Sequence, residues 1–178
     1  MPAFYWTGET EMACLADAIG HTLQHAYAHH IERLMVLGLF ALLLGVRPYD
    51  VHRWHMSMFW DAVDWVSLPN TLGMGQHGDG GIVGTKPYVA SGAYIDRMSD
   101  HCRRCRYNPK QAVGEQACPF TTLYWDFLAR HRSRFAANRR MGPMFANLDR
   151  KDAGELRMIR LQAERVRAQA IAEKFLAP

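Results

Sequence analysis

No stretch of this sequence is long and apolar enough to suggest a membrane span. The longest apolar run, 34–44, is interrupted by Gly38 and reaches about half of the ~20 residues a span needs. It reads as a buried core helix. A basic segment followed by an apolar one is also missing from residues 1–10, so no export signal is read there and a cytoplasmic location is expected. Apolar–polar alternation is almost absent, and there is no internal repeat or low-complexity tract, which argues against strands and repeat architectures. Cysteine is scarce, with four in 178 residues. Without an export signal, these four are expected to be thiols or metal ligands rather than a disulfide framework.

The chain is 49% apolar and 21% charged, a globular composition of one-domain length. Twenty-one Lys and Arg against seventeen Asp and Glu give a net charge of +4. The excess is uneven. Residues 1–50 hold two basic and five acidic side chains, 51–100 three and five, 101–150 ten and three, and 151–178 six and four. Positive charge is therefore concentrated in 101–150, where a polyanion-binding surface is expected. Arg103, Arg104, Arg106, Lys110, Arg132 and Arg134 are the candidate phosphate contacts.

Helical periodicity runs from Glu11 to Gly45 through Leu15, Ile19, Leu23, Tyr27, Leu34 and Leu42, with Gly20 and Gly38 as candidate bends or close contacts. Asp50 is a candidate N-cap for a second helix over 51–68, stopped by Pro69. Six glycines in 73–84 predict a loop. Further helices are expected over 93–99, 121–137 and 153–176, the last amphipathic and strongly charged. The fold class is all-α.

Four sets of residues could carry chemistry. Cys102 and Cys105 form a C-x2-C pair, Cys118 follows after twelve residues, and Cys14 is a fourth thiol from far upstream. Four thiolates suit either a tetrahedral Zn site or a [4Fe–4S] cluster, and sequence spacing does not separate the two. Distances between sulfurs would: ~4 Å around one Zn, given Zn–S bonds of ~2.3 Å, against ~6–7 Å around a cube in which each sulfur has its own iron. Arg103, Arg104 and Arg106 would offset thiolate charge. The second set is His21, His25 and His29, four residues apart on one helix face, with His30 beside the last. It reads as a polar face to which no acidic partner is assigned, with His29–His30 at a pocket rim. The third is Trp54, Trp60 and Trp65 with Asp61 and Asp64 between them, a core stripe or a wall packed on a flat cofactor. The glycine loop lacks the Lys-Ser/Thr ending and flanking strand of a phosphate-binding P-loop.

Together these residues resemble the C-terminal half of the bacterial iron–sulfur (6-4) photolyases of the photolyase/cryptochrome superfamily. The resemblance rests on PAFYWTGETEMACL at 2–15, HAYAHHIERLMV at 25–36, LPNTLGM at 68–74, DGG at 79–81, TKPYVASGAYIDRMSDHC at 85–102, CRYNPK at 105–110 and GEQACPFTTLYWDFLARHR at 114–132. It implies that 1–178 is part of an FAD-binding helical domain with an Fe–S site. The N-terminal antenna domain and the first flavin-binding helices of the family are missing from the sequence, and that other half is a possible partner. It implies light-driven repair of UV-damaged DNA by electron transfer from reduced FAD. The implied roles are His30 as proton donor and His29 as its partner, with Asp61, Asn70 and Met74 lining the flavin site. Trp54 and Trp6 would relay electrons, Tyr88 and Tyr94 would wall the flipped lesion, and Cys14, Cys102, Cys105 and Cys118 would hold a [4Fe–4S] cluster. His55 stands where an aromatic link of the electron path is expected. The flavin pocket of this chain alone is expected to be open on one side and inactive. The competing readings are a non-catalytic Fe–S nucleic-acid-binding module and a small Zn-binding structural protein.

Overall fold

The structure is a computed structural model that describes residues 1–172. Among these there is no strand, only one isolated bridge between Asn108 and Ala117. The helices are α1 (Phe4–Thr7), α2 (Ala13–His25), α3 (His30–Glu32), α4 (Leu39–Leu44), α5 (Pro48–Met58) and α6 (Asp64–Ser67). They continue with α7 (Gly92–Met98), α8 (His101–Arg104), α9 (Pro119–Phe135), α10 (Gly142–Leu148) and α11 (Ala153–Ala172). Two π-helical segments, Arg33–Gly38 and Leu68–Gly75, are spliced into this series. Among the described residues no helix is long and apolar enough to cross a membrane. The all-α expectation holds.

The core forms where α1, α2 and α4 meet the N-terminal half of α9. Phe40 of α4 packs on Phe120 of α9 at 4.7 Å between ring centres, and Phe4 lies 6.0 Å from Phe40. Leu15, Ile19, Leu39, Leu43, Leu123 and Leu128 are fully buried around them. Each such side chain withdrawn from water contributes ~1.5–3 kcal/mol. Helix α11 runs along α9 through buried Ile159 and Ala163. The buried Asp126 carboxylate of α9 accepts a bond from Arg130 at 2.8 Å and another from Arg167 of α11.

Three expectations are corrected. The helix over Glu11–Gly45 is broken: Ala26 takes a left-handed conformation with φ +48°, ending α2, and the chain re-enters helix at His30. The second stretch ends at Gly45, which closes α4 at φ +83°, a conformation that favours glycine. The helix over 51–68 stops at Met58, because Phe59 turns into the core in an extended conformation. Pro69 terminates nothing; α6 runs directly into the π segment through Ser67 and Leu68, and Pro69 sits inside that continuous helical stretch, where the chain switches to π spacing. Gly73 and Gly75 belong to that segment, so only the later part of 73–84 is loop. As a result Trp54, Asp61 and Trp65 do not share one helix face. The part of the predicted last helix past residue 172 lies outside the described residues.

Candidate functional site

The four cysteines converge. Cys14 enters from the first turn of α2, Cys102 from α8, Cys105 from the end of α8, and Cys118 from the N-cap of α9. All four line one small cavity together with Met12, Gly92, Ile95, His101, Tyr107 and Phe120. All four are free thiols. Local chemistry fixes each approach. Helix α2 packs on α8, which sets Cys14 against Cys102. Glu11 pins the next segment: its carboxylate takes the Arg106 guanidinium and accepts the Tyr107 hydroxyl at 3.1 Å. Thr121 clamps the third, its Oγ1 accepting Gly92 N–H at 3.0 Å and donating to the Pro109 carbonyl at 2.6 Å. A Cβ on Gly92 would stand 2.7 Å from Cys118 Sγ, so only glycine leaves the sulfur its place.

Among the described residues no three of these sulfurs come within 4.8 Å of one another, a looser arrangement than the ~4 Å separations around a single Zn. Burial is the first cause that pushes the thiol pKa of Cys14 and Cys118 up and that of Cys102 up to about 11. The neighbouring cysteines add to it. A cavity of this kind disfavours bare thiolate unless a cation is present to share the charge.

The second cluster surrounds the break in the first helical stretch. Glu32 closes a capping box on His29: its Oε2 accepts His29 N–H at 2.7 Å, while Ile31 N–H donates to His29 Nδ1 at 3.3 Å. His29 and His30 are both exposed at this corner. Arg33 donates to the Ala28 carbonyl and grips both oxygens of Asp61. This pair holds the Asp61 carboxyl below its ordinary range. Trp60 and Trp65 are 75% and 79% exposed, so the tryptophan stripe is not a core stripe; with exposed Tyr27 and Val63 it leaves an open aromatic surface beside Asp61. Asn70, whose amide donates to the Val66 carbonyl at 2.9 Å, and Met74 lie on the π segment that follows.

Trp54 is buried, and its indole N–H donates to the Tyr5 carbonyl at 3.2 Å. Its ring meets Tyr5 edge-on at 5.2 Å, and Trp6, the next residue, is 43% exposed. An aromatic series thus runs from the interior to the surface. His55 is turned to Phe59 at 4.7 Å and bonded to Ser67. Tyr88 and Tyr94 are partly buried, on separate segments.

The basic residues sit at two ends of α9. Arg103, Arg104 and Arg106 flank its N-terminal end through the cysteine segment, and Arg132 and Arg134 lie on its last turn; 17 residues of helix span ~25 Å at 1.5 Å per residue. Arg106 is paired with Glu11 and Arg132 with Asp149. Arg139 and Arg140, which were not singled out from the sequence, join Arg134, His77, Gly80 and Gly81 around a cavity of about 540 Å³.

Contrary to the expectation of a histidine face without acidic partners, His21 has two. Asp17 lies four residues before His21 on the same helix face, and Glu32 reaches His21 from α3 at 2.9 Å.

No family profile matches the chain. It is 56% identical over 146 residues, 82% of its length, to a (6-4) photolyase of Agrobacterium fabrum, of which it covers 29%. It is 31% identical over 101 residues, 57% of its length, to an uncharacterized protein of Acanthamoeba polyphaga mimivirus, of which it covers 75%. The motif resemblance and this identity agree: the chain is similar to a segment of a (6-4) photolyase, consistent with a C-terminal piece of such a protein, and spans less than a third of the length of the photolyase it matches.

Proposed function

We propose that this chain supplies the cysteine-bearing, flavin-facing part of a light-driven photolyase that repairs (6-4) photoproducts in DNA in the cytoplasm. The observation that carries the reading is 56% identity over 82% of the chain to a (6-4) photolyase. The chemistry a bound, reduced FAD supplies is light-driven donation of one electron to a flipped-out lesion, with recovery of the electron afterwards.

The residues of this chain have separable tasks. His30 holds the proton given to the lesion, the general-acid role open to an imidazole. His29 Nδ1 accepts the Ile31 N–H, which places the neutral ring's proton on Nε2, the nitrogen turned away from the cap. The Arg33–Asp61 pair, with Tyr27, Trp60 and Trp65 exposed about it, forms one wall of the flavin site; the same surface receives the remainder of a photolyase. Asn70 and Met74 extend that wall. Trp54, Tyr5 and Trp6 form the relay to solvent. Tyr88 and Tyr94 wall the extruded base, which must leave the stack to react. Arg103 and Arg104, with the Arg134–Arg139–Arg140 cavity, contact phosphates.

The cysteine cage fits a [4Fe–4S] cluster. Four thiols line one cavity, Gly92 makes room for Cys118, and no three of the sulfurs are gathered as tightly as around one Zn, which supports the cluster over a single ion. Bound there, the cluster supplies a cross-link among α2, α8 and α9 rather than repair chemistry.

A second reading is a non-catalytic Fe–S nucleic-acid-binding module. It is favoured by the mimivirus relative, three quarters of which aligns with this chain at 31% identity. One experiment separates the two. The chain is mixed with a separately expressed photolyase fragment that carries the part of the matched photolyase this chain does not cover, and (6-4) photoproduct DNA is assayed in blue light and in the dark. The expected result is light-dependent repair by the mixture and none by the chain alone. DNA binding without flavin uptake or repair in the mixture would favour the second reading.

A further inference from the structure

His21 is approached by two carboxylates. Its Nδ1 lies 2.9 Å from Glu32 Oε1 and 4.0 Å from Asp17 Oδ2, and all three donor atoms lie within 4.8 Å of one another. Asp17 and His21 project from the same side of α2, one turn apart. Glu32 arrives from α3, across the break at Ala26. Its second oxygen is fixed by His29 N–H at 2.7 Å, the kind of outer hydrogen bond that orients a metal-binding carboxylate. The Asp17 oxygen also faces His101 Nε2 at 3.7 Å, the residue before Cys102.

The charge arithmetic favours a cation. One imidazole nitrogen offers a single proton, yet two carboxylates converge on it. The spacing agrees. Ligands held at ~2.1 Å by a metal stand about 3.0–3.4 Å apart. The Glu32–His21 pair already has nearly that separation, and Asp17, 44% exposed at its side chain, is free to close the remaining gap. One imidazole and two carboxylates, with open solvent to complete the shell, suit Mn²⁺, Fe²⁺, Co²⁺ or Zn²⁺ rather than an all-oxygen ion such as Ca²⁺.

We propose that Asp17, His21 and Glu32 form a divalent transition-metal site, distinct from the cysteine cage. His101 orients Asp17 from α8. Metal binding fastens the first turn of α3, and the His29–His30 corner with it, onto α2. The site ties together two segments that the left-handed turn at Ala26 separates.

The probe is Mn²⁺, whose preference for oxygen and nitrogen donors keeps it off the thiols. Free Mn²⁺ is followed by electron paramagnetic resonance as the full chain is titrated, and the melting temperature is recorded with and without the ion. The wild type is expected to take up one Mn²⁺ and to melt higher with it. Asp17→Asn and His21→Ala are expected to lose both effects, and His25→Ala, one turn further along α2, to keep them. Circular dichroism identifies the folded variants; Asp17→Asn removes the charge of an exposed side chain while keeping its size and shape, so it keeps the test open if His21→Ala unfolds. No uptake by the wild type at millimolar Mn²⁺, or unchanged uptake by folded Asp17→Asn, would overturn the proposal.

Discussion

The Arg33 guanidinium bonds both oxygens of Asp61, at 2.8 and 3.0 Å, while its carbon lies 4.7 Å from the Tyr27 ring centre and 4.2 Å from that of Phe59. One side chain thus holds the turn after α2, the end of α5 and the turn before α6. Lysine has neither the fork nor the plane for this arrangement. Arg33→Lys is expected to cost about 1 kcal/mol, after allowance for the partly exposed carboxylate. A lower urea midpoint at unchanged slope would show it.

Gly92 makes the sharpest steric statement about the cysteine cage. An added methyl would meet Cys118 Sγ at 2.7 Å and Thr121 Oγ1 at 3.0 Å. Gly92→Ala is expected to displace Cys118 and lower iron incorporation while leaving helix content near that of the wild type. Iron per chain and far-ultraviolet circular dichroism measure the two quantities, and normal iron content in the variant would show that the sulfur has room to shift.

His55 should shape the response to acid. Burial, reinforced by Arg33, depresses its pKa from 6.5 to about 4. The folded state therefore resists a proton that the unfolded chain accepts. Its full contribution, up to ~3 kcal/mol, is present above pH 6.5 and is lost as pH falls towards 4. His77 and His131, also depressed by burial, act in the same direction. His55→Phe is expected to flatten this part of the stability–pH curve, as read from urea midpoints across the window. An unchanged slope would count against a buried neutral imidazole at 55.

Ala26 adopts φ +48° where a side chain is disfavoured. Ala26→Gly relieves the conformation and loosens the unfolded chain, for a net gain of about 0.5–1 kcal/mol. Thermal melting should rise by a few degrees. A lower melting temperature would mean that the Ala26 methyl contributes packing.

The sequence-legible parts were those that local pattern controls. Cys102, Cys105 and Cys118 were readable from spacing. Cys14, 88 residues upstream of Cys102, could be added only because no other cysteine remained. Helix breaks were less legible, since nothing about alanine announces a left-handed turn and the apolar period continues through Tyr27. Pro69 misled because a proline carried within a continuous helical stretch by a switch to π spacing looks in sequence like one that ends a helix. Trp60 and Trp65 misled in another way: aromatic spacing does not say whether the partner surface belongs to the same chain. The Asp17–His21 pair was visible at i, i+4, whereas Glu32 could join it only after the chain reversed.

Whether the four cysteines hold the proposed [4Fe–4S] cluster is decided by metal analysis of the chain purified without oxygen. Four iron atoms and four acid-labile sulfides per chain are expected, with loss of both in Cys118→Ala. One zinc per chain with neither iron nor sulfide, or iron content unaffected by Cys118→Ala, would contradict the cluster.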